Sequence, residues 1–193
     1  MSATHYMGID IGIRNLSICV LEETKQSITI IKWLNIDIIE NIPHCTKASH
    51  LHTSDFTYII RILGNLGITQ TYVQKTIFAI GIEQQPFSKR GNSLKCQLIA
   101  HFLYHLFCNW RKTSTHTDRL SIVRLIAGQA KYCDHFLHIC HENKAKSYKQ
   151  RKQLSIRLCR LLQQHHNIAT SIPISSKQDD YADAFLLAMV LRL

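Results

Sequence analysis

Over the first 35 positions the apolar residues fall into three short runs. "HYMGIDIGI" (5–13), "NLSICVLEE" (15–23) and "SITIIKWLN" (27–35) are β-branched and apolar, and short turns around Gly12–Arg14 and Thr24–Gln26 separate them. That pattern predicts a β-meander. Residues 36–57 are polar and His-rich and read as a loop. "FTYIIRILGNLG" has helical spacing and stops at Gly67, while "KTIFAIGIEQQP" is a short apolar run halted at Pro86, as a buried strand would be. A long helix is predicted from Ser88 to about Trp110, with Leu94, Leu98, Phe102, Leu106 and Phe107 on its apolar side. "LSIVRLIAG" reads as a further strand, residues 143–166 as a basic helix, and the chain closes with a helix from about Asp179. A meander followed by alternating α and β elements predicts an α/β fold, with a mixed five-stranded sheet flanked by helices.

Composition narrows the class. The 193 residues carry no repeats, low-complexity tracts or flexible linkers, so one domain over 1–193 is expected. No apolar run is long enough to span a membrane, and "MSATHYMGID" lacks the charged n-region and apolar core of a signal peptide. Seven cysteines (Cys19, Cys45, Cys96, Cys108, Cys133, Cys140, Cys159) are an odd number without a CxxC pair, which predicts free thiols in a reducing, intracellular setting. "HFLHICHE" offers His135, His138, Cys140 and His141 to a zinc ion, but it lacks a matching second half.

The net charge of +10 is unevenly spread. Between Gln84 and Gln178 there are 16 Lys and Arg against three acids, Asp118, Asp134 and Glu142. Such an asymmetry points to a polyanionic partner, nucleic acid first. An anionic membrane surface fits less well, because no basic stretch also carries an aromatic insertion face.

Against that background the acids stand out. Asp10 lies among isoleucines in "YMGIDIGI", and Glu83 ends the apolar run "FAIGIEQQP". A charge inside a strand is costly unless it is paired or binds a metal. "KQDDYADAFLLAMVLRL" adds Asp179, Asp180 and Asp183 within five positions. Acids in the first turn of a helix complement its dipole. Asp180 and Asp183, three apart, also share one helix face and can present two carboxylates to one cation. Four carboxylates brought together would repel one another, and a hard oxygen-seeking ion such as Mg²⁺ or Mn²⁺ resolves that repulsion. Two such ions about 4 Å apart can activate a water and stabilise the leaving oxygen of a phosphodiester.

"GIDIGIRNLSICV", "IGIEQQP" and "KQDDYADAFLLAM", in this order, resemble the signatures of the RuvC-like Holliday junction resolvases of the ribonuclease H-like superfamily, above all the poxvirus resolvases and their mitochondrial relatives. The likeness covers nearly the whole chain. It implies a ribonuclease H-like fold and a homodimer that cuts four-way DNA junctions by paired, Mg²⁺-dependent nicks, two ions per site, with Mn²⁺ able to substitute. Its motif acids fall on Asp10, Glu83, Asp180 and Asp183, as catalytic metal ligands. Asp179 is an extra acid beside that pattern, and the His-rich insert 36–57 is not explained by the motifs. A poxvirus protein of this kind would work in the host cytoplasm.

Residues placed to touch DNA follow. At 100° per residue, Lys146, Lys149, Arg157 and Arg160 fall within a stripe about 80° wide, apart from the leucines Leu154, Leu158, Leu161 and Leu162. Such a stripe either faces solvent or contacts phosphates. Lys177 precedes the acid cluster, where it can hold a phosphate or balance Asp179 and Asp180. Arg14 and Asn15, after Asp10, and Lys89, Arg90 and Asn92, at a helix start, are similarly placed. The long helix also carries Ile99, Leu103 and Trp110, an apolar arc wide enough to pack on the sheet and meet a symmetry mate. A ribonuclease acting on RNA–DNA hybrids and a non-catalytic junction-binding protein are the competing readings.

Overall fold

The computed structural model describes residues 3–68, 77–85, 91–113, 122–145 and 147–193. Strands β1 (Thr4–Asp10), β2 (Leu16–Glu23) and β3 (Ile28–Ile36) form the expected antiparallel meander. At the β2–β3 turn the Thr24 hydroxyl accepts the backbone N–H groups of Gln26 and Ser27. Strands β4 (Ile77–Gln84) and β5 (Ile122–Ala127) then add in parallel on the other side of β1, giving the order β3-β2-β1-β4-β5.

The sheet has a core on each face. Met7, Ile9, Ile18, Val20, Ile80 and Ile82 point to one side, where helices α1 (Phe56–Asn65) and α2 (Gly91–Thr113) pack. Tyr6, Cys19, Leu21 and Ala79 point to the other, covered by α3 (Asp134–Ile139), α4 (Tyr148–His165) and α5 (Gln178–Val190). This alternation is the period-two geometry of a sheet buried on both faces.

Four features depart from the sequence pattern. The basic helix starts at Tyr148, not 143, because Ser147 caps it: its side chain accepts Gln150 N–H while Gln150 returns the bond to Ser147 N–H. The long helix is described over Gly91–Thr113 and so continues past Trp110, while its expected start at Ser88 lies outside the described residues. A 3-10 turn at Gly128–Tyr132 and the short α3 precede the basic helix, and neither has enough apolar periodicity to be visible beforehand. The loop expected over 36–57 spans 37–55, since Ile36 ends β3 and Phe56 opens α1; it has 3-10 turns at Ala48–His50 and Thr53–Asp55 and is not merely polar, because Ile38, Ile39, Ile42, Cys45 and Leu51 join the core beneath α1 and α2.

Candidate active site

The strand register brings the two strand-borne acids together. Gly8 and Asp10 share the face of β1 opposite to Met7 and Ile9, and Glu83 shares the face of β4 opposite to Ile80 and Ile82. Ile9 pairs with Ile82 in the parallel ladder, so Asp10 and Glu83 follow side by side at the C-terminal strand ends, under α5. Ligands of open α/β sheets gather at such ends.

Helix α5 lies directly on β1. A Cβ on Gly8 would come within 2.1 Å of Ala184 O and 2.4 Å of Ala188 N. Only glycine permits that approach, and the small Ala184 and Ala188, both fully buried, complete it. Asp183, one residue before Ala184, is thereby carried to the two strand acids. Gly128 serves Glu83 in the same way, since a Cβ there would sit 2.5 Å from Glu83 Oε1.

At the centre is a residue that the motifs did not single out. Lys131, in the 3-10 turn after β5, is only 3% exposed. Its Nζ donates to Asp10 Oδ1 at 3.3 Å, Glu83 Oε1 at 3.0 Å and Asp183 Oδ2 at 2.6 Å. An ammonium has three protons, and here three carboxylates take them. Gln85 Nε2 adds a bond to Glu83 Oε2 at 2.8 Å. One lysine among 16 basic residues carries no local signal; its position just past a strand's C-terminal end is the feature that could have marked it.

The electrostatics follow from this crowding. Burial pushes Asp10 well above the usual carboxylate range, Lys131 pulls it down, and Glu83 and Asp183 add to the rise. Asp183 is raised by burial against the pull of Lys131. Glu83 feels the same burial, but its hydrogen bond with Asp10 and the charge and hydrogen bond of Lys131 bring it below its ordinary value. Burial lowers Lys131, yet the three acids outweigh this and hold it well above an ordinary lysine. Asp180 is raised to about 6 by burial and by Asp179, with Asp183 adding and Lys152 and Lys177 opposing.

Asp180 lies one turn from Asp183 on the same helix, and Asp179 instead pairs with Lys152 on α4. Asp180 Oδ2 and Asp183 Oδ1 are buried with no hydrogen-bond partner among the described residues. Orphaned buried oxygens in an all-oxygen donor set fit a hard cation. The oxygens now lie 2.6–3.3 Å from Lys131 Nζ, wider than the ~2.0–2.1 Å shell of Mg²⁺.

The basic residues are less gathered. Exposed Arg14 bonds inward, to Asp37 Oδ2 at 3.0 Å and Thr46 O at 3.1 Å; Asn15 is half-buried beside it. On α4, Lys149, Arg157 and Arg160 are exposed; Arg157 pairs with Glu142, and Arg160 reaches Gln178 Oε1 at 3.5 Å. Lys177 is exposed at the start of α5. Lys89, Arg90 and Lys146 lie outside the described residues, as does the side chain of Asn92 in α2.

Among known proteins, residues 137–193 match the family model described as Poxvirus A22 protein. No curated protein matches the sequence. The fold is that of the yeast mitochondrial Holliday junction resolvase Ydc2 (TM-score 0.65, 17% identity, covering 98% of this chain and 78% of that one). It is also that of Thermus thermophilus RuvC solved with a Holliday junction substrate (TM-score 0.56, 11% identity, covering 96% of this chain and 91% of that one). The chain therefore has the RuvC-like ribonuclease H fold, and its last 57 residues carry the pattern of the poxvirus A22 proteins, which bears out the resemblance drawn from its three motifs.

Proposed function

We propose that this chain, acting as one nuclease domain over residues 1–193, is a structure-selective endonuclease that resolves four-way DNA junctions by paired, metal-dependent hydrolysis. The observation that carries the reading is the convergence of Asp10, Glu83 and Asp183 on one point at the ends of the two parallel strands, with Asp180 one helical turn away. Asp10, Glu83, Asp180 and Asp183 would hold two Mg²⁺ ions, or Mn²⁺ in their place. When bound, such ions supply an activated water and charge stabilisation at the leaving oxygen.

The protein's own groups prepare the site. Lys131 balances three acids that would otherwise protonate or repel one another, so the carboxylates stay gathered at neutral pH. Its ammonium can also turn to a phosphate oxygen, a stronger partner for an ammonium than the water it would meet in the open. The isoleucines below and helix α5 above exclude solvent, which strengthens every charge interaction at the phosphate. Arg14, Asn15, Lys89, Arg90, Asn92, Lys146, Lys149, Arg157, Arg160 and Lys177 are the proposed contacts to DNA backbone, fixing the arms without reading bases.

A junction has two strands to cut and each chain has one carboxylate site, so a C₂ homodimer is the symmetric solution. On α2, Ile99, Leu103 and Phe107 are buried against the sheet, while Leu94 (56% exposed) and Leu98 (40%) remain outside. That exposed pair is the surface proposed to meet a second copy. Among the described residues no helix is long and apolar enough to cross a membrane, and all seven cysteines are free, consistent with work in a reducing compartment such as a host cytoplasm. The test is a substrate panel with Mg²⁺: a four-way junction, an RNA–DNA hybrid and plain duplex. Junction cutting with symmetric nicks is expected. Preference for the hybrid, or junction binding without cleavage in any divalent ion, would overturn the proposal.

A further inference from the structure

The insert 36–57, which the nuclease motifs leave unexplained, carries a second polar cluster on the opposite face of the sheet from α5. Asp55 and Cys45 are 4% and 6% exposed, in a region otherwise lined by Ile42, Leu51 and Phe56. His44 Nε2 lies 2.9 Å from Asp55 Oδ1, and Cys45 Sγ donates to Asp55 Oδ2 at 3.9 Å. One nitrogen, one sulphur and one oxygen thus stand within 4.8 Å of one another. We propose that His44, Cys45 and Asp55 bind a divalent ion of the zinc class, which clips the insert to the start of α1.

Donor chemistry selects the ion. Thiolate, imidazole and carboxylate are the ligand set of a borderline-soft metal, whereas Mg²⁺ and Ca²⁺ prefer oxygen alone. Zinc bond lengths of about 2.0–2.3 Å in a tetrahedron imply ligand–ligand edges of about 3.3–3.6 Å. The two measured separations run to different oxygens of Asp55, and all three donors stand within 4.8 Å of one another, so closing the shell takes a contraction of up to about 1.5 Å. When the ion binds, the Cys45 Sγ–H proton leaves to solvent and a sulphur–metal bond takes its place. The fourth position is left to water, while the Asp55 N–H is donated to the His52 carbonyl in the same 3-10 turn at 3.1 Å.

The surroundings are those of a held site. Asp55 Oδ2 also accepts the His52 N–H at 2.9 Å, which fixes the carboxylate's orientation. The His44 ring meets Tyr58 edge-on at 6.0 Å, and its half-exposed side chain gives an ion a route from solvent without opening the core. By contrast, the donors of "HFLHICHE" form no comparably close group among the described residues. The clip has a mechanical consequence. The insert supplies Asp37 and Thr46 O to Arg14, just past the Asp10 strand, and Ala48 O and Ser49 O to Lys95 on α2, each at 2.7 Å. Fixing residues 44–55 therefore braces both β1 and α2, independently of what the carboxylate site does.

The test uses full-length metal-free protein titrated with Co²⁺ as a spectroscopic probe, with excess Mg²⁺ present for the carboxylates. One Co²⁺ per chain should give a thiolate-to-cobalt charge-transfer band that Zn²⁺ abolishes by displacement. His44→Ala alters a half-exposed residue and should keep its circular dichroism while weakening binding more than about tenfold, since loss of even an outer-shell partner costs about 10- to 100-fold. Cys45→Ser should remove the band. Cys96→Ser, which alters the thiol that senses Glu83 and Asp10, should leave it intact. No band in the wild type, a band that survives Cys45→Ser, or unchanged affinity in His44→Ala would each overturn the site.

Discussion

Two polar clusters among the described residues are built on opposite plans. The carboxylates and Lys131 come from β1, β4, the turn after β5 and α5, so residues 10 to 183 meet at one point. The His44, Cys45 and Asp55 group comes from twelve consecutive residues of one loop. The first is held by rigid elements and carries its own cation, so its geometry stands without any ion. The second closes a short loop at small entropic cost, and its ligands are held by contacts within that loop and the start of α1. Long-range construction suits a site that must keep its geometry through a reaction, whereas local construction suits a clip.

Substitutions can break this contrast. The largest expected effect is at Asp10. Asp10→Asn should lower junction cleavage by more than about 10³-fold while leaving junction binding intact, because the lost charge is proposed to serve the transition state rather than the DNA arms. A decrease of less than about tenfold would remove Asp10 from the metal site. Next comes Lys131→Ala, which leaves three buried acids without their cation. Unfolding by denaturant at pH 7 should show a loss of about 3–5 kcal/mol, and an unchanged midpoint would mean that the pairing contributes nothing. Cys45→Ser in metal-free protein should cost far less, which is the contrast in its sharpest form.

Gly8→Ala tests the contact that seats α5. The new Cβ meets backbone rather than a flexible side chain, so stability should fall by about 1–3 kcal/mol, and cleavage should fall with it as Asp183 is pushed from Asp10. Full activity would show that the acids find one another without this contact.

A smaller effect concerns pH. Asp180 titrates near 6 in the folded protein and near 4 in the unfolded chain, so between these values the folded state binds more protons. Its contribution therefore makes the metal-free protein less stable as pH rises from about 4 to about 6. Depressed Glu83 works in the opposite direction, favouring folding above its ordinary value and losing that contribution as pH falls. Asp180→Asn should flatten the decline between pH 4 and 6 in thermal melts, and Mg²⁺ should stabilise the wild type above pH 6 more than below it. An unchanged pH profile in Asp180→Asn would place the carboxyl in ordinary solvent. The smallest effect is at the basic stripe, where Lys149→Ala, Arg157→Ala and Arg160→Ala should each lower the salt-dependence slope of DNA binding by about one. Unchanged slopes would assign that face to solvent.

What could be read in the sequence divides along the same line as the clusters. Strands and long helices declare themselves through periodicity, and a charge inside an apolar strand, such as Asp10 or Glu83, is conspicuous because burial penalises it. The pair in α5 is visible through its spacing. Lys131 carries a single weak mark, its place just past the C-terminal end of β5, and its meaning arises only when β5 lies beside β4. The start of the basic helix was legible and missed: Ser147 and Gln150 form the S-x-x-Q signature of a capping box. The buried isoleucines of the insert were hidden because Ile38, Ile39 and Ile42 follow neither strand nor helix period for long enough to stand out.

If each chain's single carboxylate site cuts one strand of a four-way junction, two chains must act together. Cleavage of a supercoiled cruciform plasmid by the wild-type protein in Mg²⁺ tests it most directly. Linear DNA is expected as the first product, from two nicks made within one encounter, and no product is expected in a chelator. Nicked circles as the main product, or cleavage that persists without a divalent ion, would contradict it.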